Sequence, residues 1–162
     1  MKSWNEVYAS ARQKCTICRC CPSCNGLACR GETPGPGGKG SGSAFVRNVE
    51  KLNAVTIVMD TIVSNEEVST ASDFFGLPTA LPVYAAPISG ILQNYGAQMS
   101  DQAYTEAVVA GSIAAGTLAF TGDGKQDAMF REPCAIVKEH DGKGIPTIKP
   151  WNLDTIREKM EL

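Results

Sequence analysis

A dense cluster of cysteines constrains this chain more than any other feature of its sequence. Six of the seven cysteines lie within residues 15–29, a segment called here the cysteine loop. The residues between them are mostly polar and show no apolar periodicity, so the segment predicts neither a buried helix nor a buried strand. Short thiol side chains spaced two and four residues apart can converge on one metal centre. The cluster therefore indicates bound metal or redox chemistry.

Four of these cysteines have the spacing C-x2-C-x2-C-x4-C, and they are Cys18, Cys21, Cys24 and Cys29. Three closely spaced thiolates with a fourth nearby suit an iron–sulfur cluster, and the same set suits zinc. A redox-sensing dithiol and cysteines without any ligand are the other two interpretations. The additional thiols of Cys15 and Cys20 could substitute as ligands.

Composition and charge exclude several classes of function. A net charge of −2 gives no electrostatic basis for binding nucleic acid. No apolar run approaches the length of a membrane span, and the polar N-terminus lacks the apolar core of a signal peptide. A cytoplasmic location is therefore expected, and clustered thiols in a reducing compartment are more often metal ligands or redox thiols than structural disulfides. Cys134 stands alone in a later helical stretch and is expected to be a buried core residue.

A stretch rich in glycine and proline, residues 31–43, follows the cysteine loop. Its composition disfavours both helix and sheet. Two interpretations are open: a flexible linker, or a loop that folds against a ligand phosphate or covers an active site. The P-loop spacing of Gly-Lys-Ser/Thr is not present, so a nucleoside-triphosphate site is not predicted.

The sequence predicts five helices, several of them from capping signals. Ser3 and Glu6 form a capping-box pattern, Gly116 stands where a C-cap glycine is favoured, and Pro133 is expected to interrupt its helix. The predicted helices are residues 3–12, a helix capped by Ser43, residues 100–115, residues 127–139 and a helix that begins at Asn152.

Extended segments alternate with these helices. Residues 55–63 are rich in β-branched side chains, and residues 68–75 and 79–86 suggest a strand pair. Further short strands are predicted at 81–86, 117–120 and 144–148. An alternation of strand and helix predicts a parallel sheet with right-handed crossovers.

Small and polar residues follow each of the three predicted parallel strands, where α/β folds place their chemistry. They are residues 86–90, 121–124 and 149–151. Small residues would let a flat ring approach the backbone, while Thr121 could hydrogen-bond its edge and Lys149 could offer a cation. Simpler interpretations are a turn at 122–124, a solvated Lys149 and a packing role for Trp151.

Several sequence blocks resemble one known family. They are Gly37-Gly38, FVRN at 45–48, TASDFFG at 70–76, LPVYAAPISG at 81–90 and AGTLAFT at 115–121. These blocks resemble the N-terminal half of FMN-dependent α-hydroxy-acid oxidases and dehydrogenases, the glycolate and lactate oxidase group. The cysteine loop before them resembles a bacterial branch of that group.

The resemblance implies an α/β fold, a partial (β/α)8 TIM barrel of about the first three β/α units. Residues 1–43 would form an N-terminal helix, the cysteine-rich segment and the Gly/Pro-rich loop. Residues 44–162 would form the partial barrel with its own N-terminal helix and a strand pair.

The resemblance also implies an FMN site at the carboxyl ends of the strands. Backbone around Ala85, Ala86 and Pro87 would lie against the flavin, Thr121 would approach its ring edge, and Lys149 would make a polar contact. The implied reaction is hydride transfer from a small 2-hydroxy acid to the flavin.

The family's catalytic histidine and arginine follow the third β/α unit, and His140, in a turn, matches neither. The chain is therefore expected to be a truncated FMN-binding portion that is inactive alone, unless self-association or a complementary C-terminal half completes it. Two alternatives stand beside this: a cysteine-ligated iron–sulfur or zinc module for electron transfer, and a catalytically silent fragment.

Overall fold

The computed structural model of the protein describes residues 2–32, 35–64 and 66–162. Within these residues the chain forms six α-helices and two sheets of two strands each. It divides into two compact units. The first contains Met1–Glu66 and Ile91–Gln98, and the second contains Glu67–Gly90 and Met99–Leu162. The sequence indicates a different division, into residues 1–43 and 44–162, and that division stays a prediction.

The first unit contains α1 (Trp4–Lys14), α2 (Ser43–Asn53) and α3 (Ile91–Tyr95). The predicted start of α1 is confirmed, because the Ser3 hydroxyl accepts from the Glu6 N–H and the Glu6 carboxylate accepts from the Ser3 N–H. The predicted cap of α2 is wrong. Its N-cap is Gly42, which has a φ of +63° that a serine rarely adopts.

The second unit contains the remaining helices and the strands. They are α4 (Asp101–Ala114), α5 (Ala128–Glu139), α6 (Leu153–Met160), β1 (Ser72–Phe74), β2 (Leu77–Thr79), β3 (Phe120–Thr121) and β4 (Ile145–Pro146). The first two strands form an antiparallel hairpin, and β3 pairs with β4 in parallel. Phe75 and Gly76 connect the hairpin with φ angles of +51° and +82°, as a tight two-residue turn requires.

The core of the second unit lies between α4, α5 and the parallel strands. Val109 of α4 and Ala119 are completely buried, and they pack with Ile136 and Val137 of α5. The interruption predicted at Pro133 is wrong, since α5 runs continuously through it and the proline ring is buried. Cys134 is 8% exposed, which confirms its prediction as a core residue.

The predicted partial TIM barrel is wrong. The two described sheets have only two strands each, and β3 and β4 contain two residues each. Residues 55–63 have the β-branched composition of a strand, but within the described chain they pair with none, and Ile57 and Ile62 are 88% and 97% exposed. Composition can favour an extended backbone, but a sheet also needs a partner edge that supplies hydrogen bonds and burial.

Replacing Ser100 with alanine is expected to lower the free energy of unfolding by about 1 kcal/mol. The Ser100 hydroxyl accepts a hydrogen bond of 3.1 Å from the Ala103 N–H, and alanine would leave that donor at the start of α4 to water. Urea unfolding followed by circular dichroism measures the change. The exposed neighbour Gln102, replaced by alanine, is the control and should change stability by less than about 0.5 kcal/mol. Equal effects would contradict the capping role.

Candidate functional sites

Three short segments of the second unit run side by side in the same direction. Ala85 forms a parallel bridge with Ala119, and Phe120 and Thr121 of β3 pair in parallel with β4. The Phe120 N–H donates to the Ala85 carbonyl at 2.9 Å. Residues 86–90, 121–124 and 147–151 therefore leave the same edge, which is called here the rim.

Asp123 joins the parts of the rim. One carboxylate oxygen, Oδ2, accepts from the Lys149 backbone N–H at 2.9 Å and from the Trp151 indole N–H at 2.6 Å. Its backbone carbonyl accepts from the Ser89 hydroxyl at 2.6 Å. One buried residue thus connects the three segment ends, and the turn and packing interpretations of the sequence did not identify this role.

The other carboxylate oxygen of Asp123 forms a buried ion pair. Oδ1 lies 3.0 Å from Lys159 Nζ, and the two side chains are 0% and 7% exposed. The same ammonium group lies 4.3 Å from the centre of the Phe130 ring, a cation–π distance. Burial would raise the pKa of Asp123, but hydrogen bonds from the Lys149 N–H, Trp151 and Lys159 outweigh it and hold the pKa below its ordinary value.

Close approach at the rim requires a glycine beside Asp123. A Cβ atom at Gly122 would overlap the Ile88 carbonyl oxygen. The backbones of the first two segment ends are thus in direct contact there. Any side chain at this position would separate them.

The five predicted flavin contacts all lie in the second unit. Ala85 is half-buried, Ala86, Pro87 and Lys149 are exposed, and Thr121 is buried. Ala86 and Pro87 are therefore the small residues whose surface is open to a flat ligand.

Thr121 carries a buried hydroxyl group without a partner. Among the described residues, its Oγ1 has no hydrogen bond, although it is shielded from solvent. It lies beside a cavity of about 10 Å³ that is also bordered by Ile88 and Tyr104. That volume is about what one water molecule requires, so a flavin ring would have to lie outside this cavity. An unpaired buried hydroxyl is costly and is free to bond an incoming group.

His140 lies away from the rim. Its Nε2 is 2.9 Å from Glu106 Oε1, which connects the end of α5 to α4. It precedes β4, whereas the rim residue Lys149 follows β4. The structure therefore places the chain's single histidine at a helix end, in a hydrogen-bond contact with Glu106.

In the first unit, backbone hydrogen bonds fix the start of the cysteine loop. The Thr16 N–H donates to the Gly96 carbonyl and the Cys18 N–H to the Tyr95 carbonyl, both at 3.0 Å. Gly96 is buried with a φ of +62°, and a Cβ there would overlap the Thr16 hydroxyl and approach the Ile17 nitrogen at 2.8 Å. The loop can lie this close to residues 95–98 only because position 96 has no side chain.

Cys18 and Cys20 form a tight turn. The Cys20 N–H donates to Cys18 Sγ at 3.4 Å, and Cys20 has a φ of +46°, which non-glycine residues seldom adopt. Burial, a hydrogen bond with the Cys15 thiol and the charges of Cys18 and Cys15 raise the pKa of Cys20 to about 12. Cys20 is thus a neutral thiol at ordinary pH, which makes it a poor nucleophile.

The four predicted metal ligands are close enough to affect one another. Partial desolvation raises the pKa of the Cys24 thiol although the residue is exposed, and the neighbouring Cys18, Cys29 and Cys21 raise it further. Burial also raises the pKa of Tyr95, with contributions from Cys18 and Cys24. All seven cysteines of the sequence are free thiols. However, within the described ranges no three His, Cys, Asp or Glu side chains are arranged to hold a metal ion.

The described part of the Gly/Pro-rich stretch packs on the end of the cysteine loop. A Cβ atom at Gly37 would overlap the Cys29 carbonyl, and one at Gly31 would overlap the Gly40 carbonyl. The Arg30 guanidinium donates to the Ser41 carbonyl at 2.6 Å. These contacts argue against a free linker, and whether the stretch covers a ligand site stays a prediction. Residues 33 and 34 lie outside the described residues.

An open pocket of about 410 Å³ lies beside the cysteine loop. The thiol-bearing residues Cys15 and Cys18 border it, together with Arg12 and Arg19. Arg19 forms two hydrogen bonds with the Glu32 carboxylate, at 2.8 and 2.6 Å. Solvent can therefore reach this side of the loop, and two arginines border the thiols there.

Comparison with known proteins gives no family assignment. No protein-family model matches the chain, and neither a curated protein nor a solved structure matches it. Among the described helices, none has the length and apolar character that crossing a membrane would require.

Proposed function

We propose that this chain is the FMN-binding portion of an α-hydroxy-acid oxidoreductase, with the flavin held at the rim. The observation that carries the proposal is the meeting of three segment ends around Asp123. Those ends contain the residues that the family resemblance associates with FMN. A cytoplasmic location belongs to the same proposal, because free thiols suit a reducing compartment.

The chemistry of the rim supports a flat, polar, anionic ligand. Ala86 and Pro87 are exposed and small, so an aromatic ring could contact the backbone there. The Thr121 hydroxyl lacks a described partner, and one water in the cavity of about 10 Å³ beside it could connect it to a heteroatom at the ring edge. The exposed Lys149 ammonium group would complement negative charge on the ligand, while its own backbone N–H is held by Asp123.

Bound FMN would supply the acceptor for the hydride that leaves the 2-hydroxy acid. The residues of this chain would bind and orient it: Thr121 and Lys149 by polar contacts, and Ala85, Ala86 and Pro87 by close packing. A 2-hydroxy acid is the proposed small-molecule partner, and self-association or a complementary C-terminal half would supply further residues of the site.

Titration of the purified chain with FMN tests the proposal. We expect one FMN per chain, measured by quenching of flavin fluorescence and by equilibrium dialysis. Replacing Lys149 with methionine should weaken binding roughly ten- to hundredfold, because one charge-assisted contact contributes about 1.5–3 kcal/mol. The matched control is Lys143→Met, which removes an exposed lysine on the other side of β4 and should bind FMN like the unaltered chain.

Replacing Thr121 with valine separates a ligand contact from a structural role. Valine keeps the volume and removes an unsatisfied buried hydroxyl, so stability should stay the same or rise while FMN affinity falls. No saturable FMN binding, or equal losses in Lys149→Met and Lys143→Met, would reject the flavin site.

A further inference from the structure

We propose that Cys18, Cys21, Cys24 and Cys29 form a tetrathiolate centre for a thiophilic metal, occupied by zinc or by an iron–sulfur cluster. This site lies wholly in the first unit and depends on none of the flavin contacts of the second. It assigns a role to the densest cysteine segment of the chain, which the flavin proposal leaves unexplained.

The two outer ligands are fixed in place. Cys18 is held through its backbone N–H by the Tyr95 carbonyl at 3.0 Å. Cys29 is held at the other end, because its carbonyl accepts from the Glu32 N–H at 3.2 Å and the backbone of Gly37 packs directly on it. The ends of the ligand segment are therefore positioned before any metal binds.

The two inner ligands lie on backbone that can adjust. After Cys24 the hydrogen bonds are local: the Asn25 N–H donates to the Ser23 carbonyl, and the Leu27 N–H to Asn25 Oδ1, both at 3.1 Å. Between Cys21 and Cys24 the Pro22 carbonyl accepts from the Tyr8 hydroxyl at 3.4 Å, a long hydrogen bond on an exposed surface. Gly26, with a φ of +77°, provides a sharp turn after Cys24. Metal binding commonly completes the folding of such a loop, so the thiols need to be neighbours, not preformed ligands at bonding distance.

The surroundings favour a negatively charged centre. Four thiolates around Zn²⁺ carry a net charge of about −2 once each thiol has released its proton to water. Arg19 is paired mainly with the Glu32 carboxylate, and it also interacts electrostatically with Cys29 and Cys21. Arg12 borders the same pocket as Cys18. The Cys20 N–H already donates to Cys18 Sγ, a contact that typically supports metal-bound sulfur. Charge and hydrogen bonding therefore complement the proposed ligands.

Anaerobic metal loading of the full chain tests this centre. The reduced chain is first freed of metal, then incubated in separate arms with Zn²⁺ alone and with ferrous iron plus sulfide, and desalted. Elemental analysis should find one zinc per chain in the first arm or one cluster with its sulfide in the second. The loading is done without FMN, so visible absorption in the second arm would come from the cluster alone. Tight binding in either arm supports the centre and identifies its occupant.

Single cysteine variants identify the ligands. Cys24→Ser removes an exposed thiol and should weaken loading at least tenfold without changing the circular dichroism spectrum. Cys15→Ser, in the same loop, and Cys134→Ala, in the second unit, are the controls and should keep full stoichiometry. No binding in either arm, or unchanged loading in Cys24→Ser, would overturn the proposal, as would loss of loading in Cys15→Ser. A failed FMN titration would leave this result unaffected, since metal content is read without flavin.

Discussion

Replacing Asp123 with asparagine is expected to destabilise the chain by about 3–5 kcal/mol, the largest effect of any single substitution considered. Asparagine has nearly the same volume, but it cannot neutralise the Lys159 ammonium group, which is 7% exposed. Its amide also presents one acceptor oxygen where the carboxylate accepts from Lys159, Trp151 and the Lys149 N–H. A buried, uncompensated charge and at least one lost hydrogen bond should therefore act together.

Urea unfolding followed by tryptophan fluorescence measures this loss, because Trp151 donates directly to Asp123. The control is Asp127→Asn, which breaks the ion pair between Asp127 and Arg131. The Asp127 side chain is 64% exposed and the Arg131 side chain is 53% exposed. Exposed pairs of this kind contribute less than about 1 kcal/mol. If Asp123→Asn does not fold, Lys159→Met provides the second test, since it removes the ammonium and leaves the carboxylate its two other donors. Similar midpoints for Asp123→Asn and Asp127→Asn would contradict the role of the buried pair.

The same pair predicts how stability changes in acid. The folded pKa of Asp123 lies below its ordinary value of 3.8, so the folded state favours the ionised carboxylate. This contribution is fully present above that value and disappears as the pH falls through the lower, folded pKa. Urea midpoints measured between about pH 5 and 2 should thus fall less steeply in Asp123→Asn than in the unaltered chain. Parallel curves would show that Asp123 does not dominate acid sensitivity.

Replacing Gly96 with alanine is the second change with a large expected effect, a loss of about 2–5 kcal/mol in the first unit. The backbone there has a φ of +62°, and the added Cβ would overlap Thr16 and press on the Ile17 nitrogen. Strain in the left-handed conformation and overlap with backbone atoms therefore add. We expect the cysteine loop to separate from residues 95–98, with faster hydrogen exchange at the Thr16 and Cys18 amides.

Gly40→Ala is a closely matched control for this substitution. Gly40 has the same φ of +62°, but a Cβ there meets nothing within 4 Å. It should therefore cost only the conformational term, about 1–2 kcal/mol, and leave exchange at Thr16 unchanged. If the two alanine variants behave alike, backbone conformation alone explains the need for glycine, and the contact with the cysteine loop is unimportant.

Helix boundaries were the most predictable part of the fold because their signals are local. Ser3 with Glu6, Ser100 and Asn152 each cap a helix with their own side chains, and all three helices begin where the sequence indicates. Gly42 shows the limit of such reasoning. Its conformation is set by packing against Gly31 and Arg30, contacts that the neighbouring sequence does not reveal.

Strand length could not be read from the sequence, because pairing depends on distant partners. Residues 55–63 and 144–148 have similar extended character, yet only the second segment finds a partner, in β3. The candidate sites show the same division. Spacing alone predicts that the four cysteines act together, and this stays a prediction. The buried role of Asp123 depends on Lys159, which lies 36 residues later. An aspartate between two glycines after a strand was the available signal, and it also fits an ordinary turn.

That separation along the chain has a consequence during protein synthesis. On the ribosome, Asp123 is made well before Lys159, and until residue 159 has emerged its carboxylate lacks the counter-ion that permits burial. In the nascent polypeptide, the residues around Asp123 would therefore stay hydrated. The rim would become buried late, when α6 leaves the exit tunnel and Lys159 pairs with Asp123.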